Sequence, residues 1–240
     1  MKIMTVVGAR PQFVKASAVS AALVETADLD EIIVHTGQHY DEAMSGSFFT
    51  ELGIAAPLHN LEVGSGGHGE QTGLMMQRLE TVVAAEQPDC MLVYGDTNST
   101  LAAALVAAKL LLPIAHVEAG LRSFDRSMPE EINRVVTDHV STHLYCPSDV
   151  AVTNLRNEGV VEGVHLVGDV MHDVIRRELA LLGAENPVGD RCGCEPGYVL
   201  ATIHRPGNTD DPRRLGEILA AVAELAAMGR PVIWPVHPRA

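Results

Sequence analysis

Residues 90–118 read CMLVYGDTNSTLAAALVAAKLLLPIAHVE. Met91–Tyr94 is a short, wholly apolar run that stops at Gly95-Asp96. Thr100–Leu111 follows, rich in Ala and Leu, and Pro113 closes it. Pro113–Val117 is again short and apolar. Nearly all apolar, each run suits a strand covered on both faces, with a helix between them. That is a βαβ unit, and it requires parallel strands.

The alternation extends in both directions. Further strands are expected at Lys2–Val7, Glu31–His35, His143–Cys146, Val164–Val167, Tyr198–Thr202 and Pro231–Pro235. Helices are expected at Pro11–Val24, Thr72–Ala85, Glu130–Val140, Asp149–Glu158, Met171–Leu182 and Arg213–Met228. Strand and helix repeated in this way specify an α/β protein with a mainly parallel, Rossmann-like sheet. Residues 1–182 are expected to form a first domain. A Gly-, Pro- and acid-rich stretch, 183–197, reads as a linker. Residues 198–240 restart the alternation as the beginning of a second domain. Two strands and one helix bury little on their own, so the sequence reads as the front portion of a longer protein.

The chain has 240 residues with a formal charge of -14, from 17 Lys+Arg against 31 Asp+Glu. That balance argues against nucleic acid and against an anionic membrane surface as partners. It leaves open a small anionic ligand held by a few local cations. The apolar stretch Leu101–Val117 is broken by Lys109 and Pro113 and falls short of the roughly 20 residues of a membrane helix. The N-terminus has no secretory pattern, and a cytoplasmic protein is expected. Cys90 and Cys146 sit in apolar runs, and Cys192-Gly193-Cys194 has the wrong spacing for zinc, so neither a disulfide framework nor a metal site is expected.

Ligands of open parallel sheets bind at the carboxyl ends of the strands, and the polar residues gather there. Gly8-Ala9-Arg10-Pro11 follows the first strand, with Lys15 one helical turn on. Gly8 suits a tight turn, the helix start offers N–H groups to an anion, and Arg10 adds a cation. This turn after the first strand is not the G-x-G-x-x-G fingerprint, so a dinucleotide is given little weight. Asp96 and Glu118 end neighbouring strands, and Glu130, with Arg134 one turn later, opens a helix. Individually, Asp96 reads as a helix cap and Glu130 as a dipole partner. Converged on one edge, the carboxylates read as an acid/base set. His204-Arg205 and His237 end the last two strands, where histidines can donate to phosphate.

Taken in order, Gly8-Ala9-Arg10-Pro11 with Lys15, Thr36-Gly37-Gln38-His39, Gly95-Asp96-Thr97-Asn98-Ser99-Thr100, His116-Val117-Glu118-Ala119-Gly120-Leu121-Arg122, Met128-Pro129-Glu130-Glu131-Ile132-Asn133-Arg134, Val167-Gly168-Asp169-Val170, His204-Arg205 and Pro235-Val236-His237-Pro238 closely resemble the UDP-N-acetylglucosamine 2-epimerase family, non-hydrolysing branch. The resemblance runs the length of the chain. It implies the GT-B architecture, two Rossmann-like domains with substrate between them, of which the second is incomplete here. It implies cofactor-free interconversion of UDP-GlcNAc and UDP-ManNAc by elimination of UDP to 2-acetamidoglucal and re-addition. On this resemblance Asp96, Glu118 and Glu130 are the acid/base carboxylates, and His204 joins the catalytic set. Gly8, Arg10, Lys15, Arg134, Arg205 and His237 bind substrate or UDP. Gln38, His39 and Gln71 match a regulatory site for a second substrate molecule. Glu70 stands where some bacterial members carry an arginine of that site, and Pro206-Gly207 stand where many relatives have an acid. A homodimer is implied. The competing readings are a hydrolysing relative that releases ManNAc, a glycosyltransferase, and a truncated, inactive nucleotide-sugar binding module.

Overall fold

Lys2–Val7 forms β1, and Asp30–His35 forms β2 beside it, in parallel, with Val6 opposite Val34. Between them runs α1, Arg10–Val24, opened by Pro11 at a position where a missing N–H costs nothing. The computed structural model describes residues 1–38, 49, 51–183, 185, 187–203 and 206–236. His39, His204, Arg205 and His237 lie outside the described residues.

The chain divides into two compact units, Met1–Glu178 and Leu179–Ala240. The first holds β3 (His59–Asn60), α2 (His68–Glu86), β4 (Cys90–Tyr94), α3 (Asn98–Lys109), β5 (Ile114–Val117) and α4 (Pro129–Val140). It continues with β6 (His143–Cys146), α5 (Asp149–Asn157), β7 (Val164–Leu166) and most of α6 (Val170–Leu182). The seven strands make one sheet in the order β3-β2-β1-β4-β5-β6-β7, all pairs parallel. The chain grows outward from β1 in one direction and from β4 in the other. The order therefore reverses between β1 and β4, the place where doubly wound sheets bind ligands.

Alternation along β4 and β5 divides the core into two layers. Met91, Val93 and Ile114 pack with Leu79 and Val83 of α2 and Ala103 and Ala107 of α3. Leu92, Tyr94, Ala115 and Val117 face the other way, with Phe13 and Ala16 of α1. A third cluster joins Leu144 and Cys146 to Ala151 and Leu155 of α5.

The second unit contains α7 (Pro187–Cys192), β8 (Val199–Leu200), α8 (Pro206–Thr209), α9 (Pro212–Ala227) and β9 (Val232–Ile233). Its two strands pair in parallel. No residue of α9 is buried. The stretch read as a linker thus carries a short helix, and β3 is a strand with no counterpart in the sequence reading.

Candidate active site

The turn after β1 is held by a side chain the sequence reading passed over. Gln12 is buried in the first turn of α1, and its Oε1 accepts from the Gly8 and Ala9 N–H groups at 2.8 and 3.1 Å. Its Nε2 donates to the Tyr94 carbonyl at 3.0 Å and to the Thr100 hydroxyl at 2.9 Å. These two turn N–H groups are therefore taken by the protein itself. Gly8 has no room for a side chain, since a Cβ would lie 2.1 Å from both Ser99 Oγ and Thr36 Oγ1. Arg10 is exposed at the start of α1.

The β4 turn presents Asp96. Thr97, not Asp96, caps α3, its hydroxyl accepting from the Thr100 N–H at 3.3 Å. Asp96 is thereby released to pair with Arg134, whose Nε and Nη2 donate to one carboxylate oxygen at 3.0 and 2.6 Å. Asn133 secures the same turn, donating to the Asp96 carbonyl at 2.8 Å.

Gly95, just before it, has φ 60°. A Cβ there would come within 3.1 Å of Glu118 Oε2 and 3.2 Å of Lys15 Nζ. Lys15 and Glu118 form an ion pair that thus lies directly over the peptide leading into Asp96. Glu118 itself sits at φ 73°, in the left-handed region. For a side chain other than glycine that costs about 1–3 kcal/mol and persists only where the surroundings impose it. They do so here through bonds from the Glu118 and Ala119 N–H groups to the Tyr145 carbonyl, both 3.1 Å.

Lys15, Gly95, Asp96, Glu118, Leu121, Arg122, Ser123 and Arg134 line a cavity of about 320 Å³ at this strand edge. The geometry thus brings Asp96, Glu118, Lys15 and Arg134 together. Glu130 is not among the lining residues. It is exposed in the first turn of α4. Arg134, one turn after Glu130, donates to Glu131 at 2.7 Å. Glu131 is buried and also accepts from the Ser123 N–H and hydroxyl at 2.9 and 3.0 Å and from the Phe124 N–H at 2.9 Å. Burial opposes its charge. The Ser123 and Phe124 amides, Arg134 and the Ser123 hydroxyl outweigh that and pull its carboxyl down to about 2.

The two described residues matched to a regulatory site both reach the first turn of α3. Gln38 Oε1 accepts from the Ser99 hydroxyl at 2.7 Å. Gln71 Oε1 accepts from Asn98 at 2.8 Å, and its Nε2 donates to the Gly64 carbonyl at 2.8 Å. Among the described residues no cluster of His, Cys, Asp and Glu is arranged to hold a metal ion. No described helix is long and apolar enough to cross a membrane.

The family model for UDP-N-acetylglucosamine 2-epimerase matches residues 21–240. A Pseudomonas aeruginosa UDP-2,3-diacetamido-2,3-dideoxy-D-glucuronate 2-epimerase is 52% identical, over 100% of this chain and 67% of its own length. The Methanocaldococcus jannaschii UDP-GlcNAc 2-epimerase, solved in complex with UDP-GlcNAc and UDP, superposes with a TM-score of 0.86 at 44% identity, covering 100% of this chain and 67% of that one. The Neisseria meningitidis UDP-GlcNAc 2-epimerase bound to UDP-GlcNAc gives a TM-score of 0.86 at 27% identity, covering 99% and 66%. The chain spans about two thirds of the length of these relatives.

Proposed function

Because the chain belongs to the UDP-N-acetylglucosamine 2-epimerase family, we propose that the protein containing it interconverts UDP-GlcNAc and UDP-ManNAc without a cofactor and without net hydrolysis. The observation that carries this is the Lys15–Glu118 pair lying over Gly95, beside Asp96 and its partner Arg134. Two carboxylates from adjacent strand ends flank one small cavity, and each has a cation of its own.

In this reading one carboxylate takes the proton from sugar C2. The electron pair of the C–H bond forms the C1–C2 double bond of 2-acetamidoglucal. The C1–O bond breaks, and UDP leaves with its electrons. Return of UDP to C1 and of a proton to the other face of C2 gives the epimer. Groups on both sides of the ring are needed, and two separately held carboxylates supply them. Glu130 enters as a third acid, acting on the sugar from the exposed end of α4. Lys15, Arg134 and Arg10 balance the charge of the departing diphosphate. His204, Arg205 and His237 complete its grip. The homodimer and cytoplasmic location belong to the same reading.

The experiment is incubation with UDP-GlcNAc in D₂O followed by proton NMR. UDP-ManNAc carrying deuterium at C2 is the expected product. Free ManNAc would put the protein with the hydrolysing enzymes, and binding of UDP with no exchange at C2 would leave only a binding module. A second substrate is favoured by the 52% identity to the diacetamidoglucuronate enzyme. Offering both nucleotide sugars in competition, and comparing kcat/KM, decides between them.

A further inference from the structure

His116 occupies a place where the pattern of β5 calls for an apolar residue. Ile114, two residues earlier on the same face, packs into the cluster under α2 and α3. His116 is fully buried, and so is Asp138 of α4 beside it. The ring Nδ1 lies 2.7 Å from Asp138 Oδ1, and Nε2 lies 2.8 Å from the Gly95 carbonyl oxygen. A carbonyl oxygen only accepts. Asp138 accepts as well, because its second oxygen takes bonds from Arg122 at 2.7 Å and from the Gly120 N–H at 3.1 Å. Burial pushes the Asp138 carboxyl up, but His116 and Arg122 more than offset this and hold it below its ordinary value. Both nitrogens of His116 are therefore donors.

The two ends of this pair grip the two turns that matter. Gly95 leads into Asp96, and its own N–H is tied to the Val117 carbonyl at 3.0 Å. The His116 bond fixes the other side of that residue. Gly120 closes the turn that holds Glu118 at its strained φ of 73°. One buried carboxylate thus reaches the Asp96 turn through the imidazole and the Glu118 turn directly. Stability alone is a poor reason for this arrangement. Buried charged pairs are commonly no more stable than apolar residues of the same size.

We propose that His116 and Asp138 are positioning residues that set the separation of Asp96 and Glu118 for the reaction at C2. The inference rests on the epimerase reading above. A displacement near 1 Å is enough to cost roughly 10²-fold in rate.

The test uses His116→Gln and Asp138→Asn, with the folded fraction of each measured by circular dichroism. Per folded molecule, kcat for C2 exchange falls about 10²-fold while KM stays within about threefold. A kcat unchanged within twofold in both variants overturns the proposal, as does a loss that only follows the unfolded fraction. Nitrogen-resolved NMR of the unaltered protein supplies a readout that needs no variant to fold. Both ring nitrogens of His116 carry protons, and finding either one bare also overturns the proposal. Absence of exchange in the unaltered protein overturns the epimerase reading itself, so the two failures are told apart.

Discussion

On one side of the sheet, α2 and α3 close over Met4, Val34, Met91, Val93 and Ile114, all at most 1% exposed. On the other, α1 and α6 leave a cavity of about 550 Å³ bordered by Ile3, Val19, Leu92, Ala115, Val117 and Val170. The site draws on the two sides unequally. Asp96 is gripped by Asn133 and Arg134, and Arg134 in turn by Glu131, all from α4. His116 and Asp138 lie on that side too, whereas α1 contributes Gln12 and Lys15. A constellation that must be accurate to fractions of an ångström belongs on the densely packed layer, because close packing leaves its supports no alternative positions. The looser side is expected to tolerate substitutions that the closed side does not.

The largest effect should come from the groups the closed side holds in place. Asp96→Asn and Glu118→Gln each lower the rate of C2 exchange by about 10²–10⁴-fold, with folding intact by circular dichroism. Glu130→Gln shows a loss in the same range if that exposed acid reaches the sugar from the end of α4. Full activity in all three variants would remove the acid/base assignment altogether.

Packing gives the next largest contrast. Met91 and Leu92 are neighbours on β4 that point to opposite layers. Met91→Ala opens a void in the closed layer and costs about 2–5 kcal/mol. Leu92→Ala enlarges a space that already exists, and its cost falls at or below the lower end of that range. Urea unfolding of both variants checks this, and equal losses would erase the distinction between the two sides.

Glu131 yields a smaller, pH-dependent effect. Its carboxyl is depressed from 4.5 to about 2 in the folded chain. A depressed value contributes stability above the unfolded pKa, and that contribution is lost as pH falls toward the folded one. Glu131→Gln is therefore less stable than the unaltered protein above pH 4.5, by about 1.5–3 kcal/mol for bonds to a charged group. The two unfolding curves converge as pH drops toward 2. A difference independent of pH would mean that shape, not charge, makes Glu131 useful.

The same contrast explains what was legible in the sequence. The β4–α3–β5 unit could be read because its apolar runs and its stop signals are local. So could the placing of Asp96 and Glu118 at strand ends. β3 could not, since His59–Asn60 is two polar residues recruited by the edge of β2. Gln12 had no local signature either, as its partners Tyr94 and Thr100 lie 82 and 88 positions away. Between Glu130 and Glu131, both acidic and both in a first turn, helical spacing offers no choice. The choice is made by two loop amides, those of Ser123 and Phe124, that only the folded chain brings to α4. Likewise the cap fell to Thr97, one residue past the acid the pattern suggested, and that shift is what leaves Asp96 available.

The smallest effect is expected where the looser side is filled. Ala115 borders the 550 Å³ cavity from the middle of β5, between Ile114 and His116 of the opposite layer. Valine adds two methyl groups on a strand position it favours. Space for them already exists, so Ala115→Val changes stability by no more than about 1 kcal/mol, with a gain the expected direction. Turnover stays within twofold, because the added atoms point away from Asp138 and the turns it holds. A loss of about 1–3 kcal/mol, the usual penalty of overpacking, would show that this layer is as tightly closed as its counterpart. Accuracy would then not reside on one side of the sheet alone.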